Sequence, residues 1–306
     1  MEVVSTIIPC YNSSHYLSET IQSVLQQKGD FRKEIICVDN GSTDDTLELL
    51  KTLAKETPEL IISSEKKQGA SYARAKGLSI CTGDYIQFLD SDDVILPSKF
   101  KNQIEAIKSN HLDWVISDRS VMNLDLSETI ATHSYQHILN SPLNVAISEV
   151  ITSGNPLYKK SALEQVGGYT PELVVGQDWD LHIKLILADL RFGYLAGDYF
   201  HSRRLDGSLS SNWIKVSNTL CGLIKHYKSA FVQNGVSDMQ EAMKKIHQTY
   251  LLSLVHENEL NKEWLDELKF WLQQSPASKE SLGKLGLLYK LFGLKFYLQI
   301  RRRLKR

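Results

Sequence analysis

The chain has 306 residues, 35 of them basic and 36 acidic, for a formal net charge of −1. That length suffices to bury a sizeable core, and the charge balance excludes a surface built as a whole for nucleic acid. Its four cysteines lie far apart and form no CxxC pair, which excludes a zinc site or disulfide framework of the usual spacing and fits a reducing compartment. No basic segment followed by an apolar run opens the sequence, and no stretch has the apolar length of a spanning helix. The expectation is a soluble, cytoplasmic protein.

In chain order, an apolar run predicts a buried strand over residues 3–8, and aliphatic residues at helical spacing predict a helix over 16–27. A strand over 34–38, a helix over 43–55, a short strand over 60–62 and a helix over 70–80 follow. The pattern continues with a strand over 85–89, a helix over 99–108 and a strand over 114–116. Strands alternating with helices of this length mean βαβ units, hence an α/β fold with a doubly wound, mostly parallel sheet flanked by helices. Residues 120–150 are polar and weakly patterned and read as a loop-rich connection. Regular structure returns over 157–197, strongly helical over 178–187, and beyond about 214 the pattern is helical without strand signals. The expected organisation is a domain over 1–214 and a helical C-terminal extension over 215–306.

Polar residues gather where the strands end. The first runs into Pro9-Cys10-Tyr11-Asn12, the second into Asp39-Asn40-Gly41-Ser42, and the fourth into Asp90-Ser91-Asp92-Asp93. Ligands of open α/β sheets bind beyond the carboxyl ends of the strands, so these turns define a candidate site. Three carboxylates in four residues repel one another unless a cation or hydrogen bonds offset the charge. Magnesium or manganese, held by one or two carboxylates plus phosphate oxygens, suits that arrangement better than helix capping alone. Asp39 reads both as a turn residue and as an acceptor for a nucleobase N–H or ribose hydroxyl, since the two roles use different atoms. Arg74 reads as a solvated helix face or, from its place at the ligand edge, as a diphosphate or nucleotide contact. Asp178 opens a helix and reads equally as its N-cap or as a base.

Together these residues resemble the family 2 glycosyltransferases, whose nucleotide-binding fold is called GT-A. The resemblance rests on Val4-Ser5-Thr6-Ile7-Ile8-Pro9-Cys10-Tyr11-Asn12, Glu34-Ile35-Ile36-Cys37-Val38-Asp39-Asn40-Gly41-Ser42-Thr43-Asp44 and Gly83-Asp84-Tyr85-Ile86-Gln87-Phe88-Leu89-Asp90-Ser91-Asp92-Asp93. Val166-Gly167-Gly168-Tyr169 and Gln177-Asp178-Trp179-Asp180-Leu181 follow in the same order, so that residues 3–210 are covered. The resemblance implies a hexosyltransferase-like enzyme that moves one sugar from a nucleotide-diphosphate sugar, a UDP-sugar by expectation. The acceptor would be a hydroxyl of a glycan or lipid-linked molecule in cell-surface polysaccharide assembly, and the anomeric configuration would invert. Residue by residue, it implies that Pro9 and Tyr11 line the base pocket, Asp39 accepts from the base and Arg74 faces the nucleotide. Asp90, with Ser91 beside it, would meet the ribose or a metal-bound water. Asp92 would ligate Mn2+ or Mg2+ on the diphosphate, and Asp178 would be the catalytic base.

Three positions depart from the family pattern. Gln177 stands where glutamate usually precedes the base, which leaves Asp178 with a lower pKa than a glutamate neighbour would. Leu205 stands where a histidine often helps hold the metal, with His201 nearby but out of register, and Ala75 replaces a common asparagine. The C-terminal stretch 285–300 is rich in Leu, Phe and Tyr and runs into Arg301-Arg302-Arg303-Leu304-Lys305-Arg306. It reads either as a buried helix with a solvated basic end or as an interfacial helix, with 284–306 in peripheral contact with an anionic membrane.

The rivals are weaker. No GxGxxG follows the first strand, as a dinucleotide-binding Rossmann enzyme requires, and no QxxRW motif marks a processive synthase. A reading of another class stays open: a catalytically weak nucleotide-sugar-binding partner or regulator, favoured by Gln177 and Leu205 and opposed by Asp178.

Overall fold

The computed structural model describes residues 1–205, 213–235, 240–256 and 262–274. They belong to two compact units, Met1–Asn140 with Ile151–Asp206, and Ser141–Val150 with Gly207–Arg306. The strands, all in the first unit, are β1 (Glu2–Cys10), β2 (Phe31–Asp39), β3 (Leu60–Ser64), β4 (Tyr85–Phe88), β5 (Val94–Ile95), β6 (Trp114–Met122), β7 (Thr129–His133), β8 (Leu157–Lys159) and β9 (Phe192–Arg203). Its helices are α1 (Leu17–Leu25), α2 (Thr46–Glu56), α3 (Ala70–Ile80), α4 (Lys99–Ser109), α6 (Lys160–Val166) and α7 (Gln177–Leu187), whereas α5 (Pro142–Ser148) belongs to the second unit.

The nine strands form one sheet in the order β3-β2-β1-β4-β8-β6-β9-β5, with β7 beside β6. β3, β2, β1 and β4 are parallel, as are β6 and β9. The sheet is mixed beyond β4, because β8 runs antiparallel to β4 and β6, β5 to β9, and β7 to β6. β1 lies at the centre of the parallel part, with Val4, Ile7 and Ile8 inaccessible to solvent. A strand covered on both faces needs such a continuous apolar run. Its one polar pair, Ser5 and Thr6, is also buried; Ser5 Oγ donates to Glu34 and accepts the Gly83 N–H at 2.8 Å. Leu17, Ile21 and Val24 of α1 join this core, each large aliphatic side chain contributing about 1.5–3 kcal/mol when fully buried.

One close approach positions the site. A Cβ on Gly77 would lie 2.3 Å from Cγ2 of Ile7, so only glycine lets α3 lie this near β1. Arg74, three residues earlier on the same helix, is thereby delivered to the carboxyl end of the sheet.

The connection expected to be loop-rich over 120–150 carries more structure. β6 continues to Met122, a hairpin returns as β7, and a short 3-10 helix (Gln136–Leu139) and α5 follow. Four of the five residues of β7 are exposed, so the strand has no buried face to leave an alternating pattern. In the second unit α8 (Trp213–His226), α9 (Lys228–Gln233), α10 (Gln240–His256) and α11 (Lys262–Gln274) bury Ile224, Phe231, Met243, Ile246, Leu268 and Trp271. Asn144 of α5 accepts the Ala242 N–H of α10 at 2.7 Å. All four cysteines are buried and none forms a disulfide. No helix among the described residues is long and apolar enough to cross a membrane. The basic stretch 284–306 lies outside the described residues.

Candidate functional site

Three turns at the carboxyl ends of β1, β2 and β4 are laced together. Asn12 adopts φ 50°, a left-handed conformation asparagine tolerates, and Tyr11 before it is 52% exposed. Asn12 Oδ1 accepts the Thr43 N–H at 2.8 Å, Ser13 N–H donates to Thr46 Oγ1 at 2.7 Å, and Ser91 Oγ donates to Ser13 Oγ at 2.7 Å. Asp39 is buried, and its two oxygens accept the Gly41 and Ser42 amides at 3.3 Å. Pro9 sits one residue from the end of β1, opposite Val38 in register. Pro9, Tyr11, Asp39 and Ser91 thus share the rim of the sheet, as the sequence suggested, although none of them bonds to Arg74.

Arg74 is the hub of a second cluster. It is only 4% exposed; Nη2 donates to Asp90 Oδ1 at 2.5 Å and to Ser153 Oγ at 3.4 Å, and Nη1 to Gln177 Oε1 at 2.6 Å. The guanidinium stands over the Tyr169 ring, 4.9 Å from its centroid. Burial alone would lower its pKa, but Asp90, then Tyr169 and Asp178, hold it above the ordinary value. Arg74 is a fixed positive charge whose terminal nitrogens are spent inside the protein. The direct nucleotide contact expected of Arg74 finds those nitrogens already bonded, and of its partners Asp90 has a side chain 41% exposed.

Asp178 lies at the start of α7, where no side-chain cap bond forms. Its Oδ1 accepts the Tyr169 hydroxyl at 2.6 Å, and the Ser153 backbone N–H faces the carboxylate and favours its ionised form. Burial raises its pKa; Arg74 and Tyr169 pull it back, and Asp90 adds to the rise. The result is a carboxylate above its ordinary range, oriented by neutral donors and one cation.

The acidic turn behaves differently. Asp92 is pushed up to about 6 by burial and then by the charge of Asp90. Asp93 is likewise raised well above the ordinary carboxylate range, by burial and then by Asp92 and Asp90, while its Oδ1 accepts the Arg203 N–H at 2.9 Å. Arg203, its side chain 1% exposed, is the residue sequence reasoning missed. It donates to the Glu19 carboxylate, to the Asp92 carbonyl and, at 2.9 Å, to the Leu124 carbonyl, and it stacks on Tyr16 at 4.8 Å. Among the described residues no three acidic, histidine or cysteine side chains converge as a ready-made metal cage. His201 pairs with Asp198 at 3.0 Å and is not turned to Asp92.

The sequence profile of glycosyl transferase family 2 matches residues 5–167, more than half of the chain. An uncharacterized glycosyltransferase of Haemophilus influenzae is 38% identical over 113 residues, which cover 37% of this chain and 45% of that one. The poly-beta-1,6-N-acetyl-D-glucosamine synthase of Staphylococcus aureus is 25% identical over 234 residues, 74% of this chain and 53% of the relative. The chain thus spans about half the length of these relatives. The crystal structure of S. aureus TarS 1-349 in complex with UDP-GlcNAc superposes with a TM-score of 0.66 at 18% identity, covering 100% of this chain and 92% of that one. That likeness identifies the mixed sheet with its flanking helices as a GT-A fold, and the profile match settles the affiliation: the chain belongs to glycosyl transferase family 2.

Proposed function

We propose that the protein is an inverting glycosyltransferase that moves one sugar from a nucleotide-diphosphate sugar to a hydroxyl of a glycan or lipid-linked acceptor in cell-surface polysaccharide assembly. One observation carries the reading. Arg74 joins Asp90 on one side to Gln177 and Asp178 on the other, at the carboxyl end of a parallel sheet. The affiliation, the polysaccharide synthase among its relatives and the UDP-GlcNAc in the TarS structure support it.

In this reading Tyr11, exposed at the rim, packs on the base in a pocket shared with Pro9, and Asp39, already oriented by two backbone amides, accepts from it. Arg74 orients Asp90 towards the ribose, with Ser91 beside it. The acidic turn fits a divalent cation because its carboxylates raise one another's pKa, and Arg203, whose side chain bonds elsewhere, offsets the charge of Asp92 only in part. Asp92 would be the protein ligand of Mn2+ or Mg2+, the remaining positions falling to diphosphate oxygens and water. Bound there, the ion supplies neutralisation of the leaving diphosphate without proton transfer. Asp178 takes the acceptor hydroxyl's proton, and its raised pKa makes it a stronger base than an exposed aspartate. Residues 1–214 would form the transfer domain, and the basic stretch 284–306 of the extension over 215–306 would either cap a buried helix or meet an anionic membrane. The reading as a regulator gives no role to a buried carboxylate oriented by the Tyr169 hydroxyl beside the Arg74 charge.

The test is transfer and donor hydrolysis with a panel of nucleotide sugars, each with manganese or magnesium. Metal-dependent turnover of one donor supports the proposal. Donor binding without transfer, across a broad acceptor panel, would favour the regulator instead.

A further inference from the structure

Tyr169 lies in the connection between α6 and α7 and is 1% exposed. Its ring is fixed from two sides, edge-on to Phe88 at 4.8 Å and beneath the Arg74 guanidinium at 4.9 Å. With the ring held, the hydroxyl has one direction, and it ends on Asp178 Oδ1 at 2.6 Å. Tyr158, the other buried tyrosine near Asp178, spends its hydroxyl on His182 Nε2 at 2.8 Å. We propose that Tyr169 is the positioning residue of Asp178: its hydroxyl holds one carboxylate oxygen and so sets the rotation at which the carboxylate meets the acceptor. The inference rests on the reading of Asp178 as the base.

The titratable groups facing Asp178 come from every side. Arg74 faces it from α3, Asp90 from the turn after β4, Tyr158 from β8 and Tyr169 from the loop before α7. The Ser153 amide approaches from the turn before β8. From its own helix comes His182, whose pKa burial lowers to about 3 and which is therefore neutral. Arg74 and Asp90 cannot be changed without changing the local charge, and the Ser153 donor is backbone. Tyr169→Phe deletes a neutral donor while keeping the ring that Arg74 and Phe88 pack against.

A donor to the ionised form favours that form, so its removal raises the proton affinity of the carboxylate. Hydrogen bonds to charged groups correspond to about a 10- to 100-fold change, or one to two pH units. In the full chain, the acid limb of kcat against pH should move up by about that amount in Tyr169→Phe, with the donor KM unchanged. It should stay in place in Tyr158→Phe. Site-specific 3-fluorotyrosine at 169, a stronger donor of the same shape, should move the limb down, and this measurement serves if the phenylalanine variant does not fold. An unmoved limb in both Tyr169 variants, with transfer lost in Asp178→Asn, overturns the role of Tyr169 and leaves the base intact. Wild-type transfer by Asp178→Asn overturns the base, and this inference with it.

Discussion

Asp92 and Asp178 are both aspartates that burial raises above the ordinary carboxylate range, yet their surroundings differ in kind. Asp178 is met by a guanidinium, a hydroxyl and a backbone amide. Asp92 is met by two further carboxylates, and the one nearby cation, Arg203, donates to its backbone carbonyl instead of its carboxylate. No side chain among the described residues donates to that carboxylate. A charge balanced from within can gain and lose a proton without disturbing its neighbours. A group of carboxylates offset only in part by guanidiniums, with no described side chain donating to Asp92, suits a partner from outside such as the proposed divalent ion.

Breaking the first half of this comparison should have the largest effect. Asp178→Asn keeps the side-chain shape and removes the proton acceptor, so transfer should fall by roughly 10²–10⁴ while donor affinity holds. A transfer assay with donor affinity measured in parallel checks this, and equal rates would remove Asp178 from the mechanism. Breaking the second half should act on binding instead. In Asp92→Ala, affinity for UDP with manganese should fall by at least the roughly 10- to 100-fold that loss of an outer-shell partner costs. Without metal the variant should melt no lower than wild type, because it sheds a charge that Asp93 and Asp90 repel. Calorimetry of UDP and manganese decides, and unchanged affinity with unchanged metal dependence would sink the assignment.

A smaller change should touch only the Asp92 side. Arg203→Lys keeps the charge but loses the fork that joins Glu19 to two carbonyls and the stack on Tyr16. Stability should drop by about 1–3 kcal/mol, the cost of leaving buried acceptors unmet. Metal-dependent donor affinity should weaken as the acidic turn loosens, while transfer from bound donor stays at the wild-type rate. A fall in that rate would show that the two regions are not separable.

The donor side was the more legible in sequence, for a physical reason. Its strands are buried on both faces and appear as unbroken apolar runs, so the polar turns that follow them stand out. Arg74 and Asp178 could be named as candidates, since each opens or lines a regular helix. Arg203 could not: it sits in a polar run next to Arg204, and its burial depends on Glu19, 184 residues away. β9 escaped notice for a similar reason, because its twelve residues mix buried, half-buried and exposed positions without alternation. Ser153 and the hydroxyl of Tyr169 acquire their meaning only where the turn before β8 and the α6–α7 connection meet.

The smallest expected effect sharpens the comparison at Gln177. Its Oε1 accepts from Arg74 at 2.6 Å, and its Nε2 donates to the Leu173 and Val174 carbonyls at 3.0 and 2.9 Å. Glutamate at this position would keep the bond to Arg74 but lose both donations and set a carboxylate oxygen against those carbonyls. The variant Gln177→Glu should therefore lose about 1–2 kcal/mol of stability. The added negative charge beside Asp178 also makes its ionised form harder to keep, so its pKa, already raised, rises further. Asp178 works as a base only when ionised, and activity is lost as pH falls through its pKa; a higher pKa begins that loss at a higher pH. The displacement should stay under about one pH unit, because the new charge lies against Arg74 and is partly neutralised there. The kcat–pH profile of the two proteins measures it. A limb displaced downward would mean that Arg74 is held more firmly over Asp178 by glutamate than by glutamine, and that the guanidinium's position outweighs the added charge.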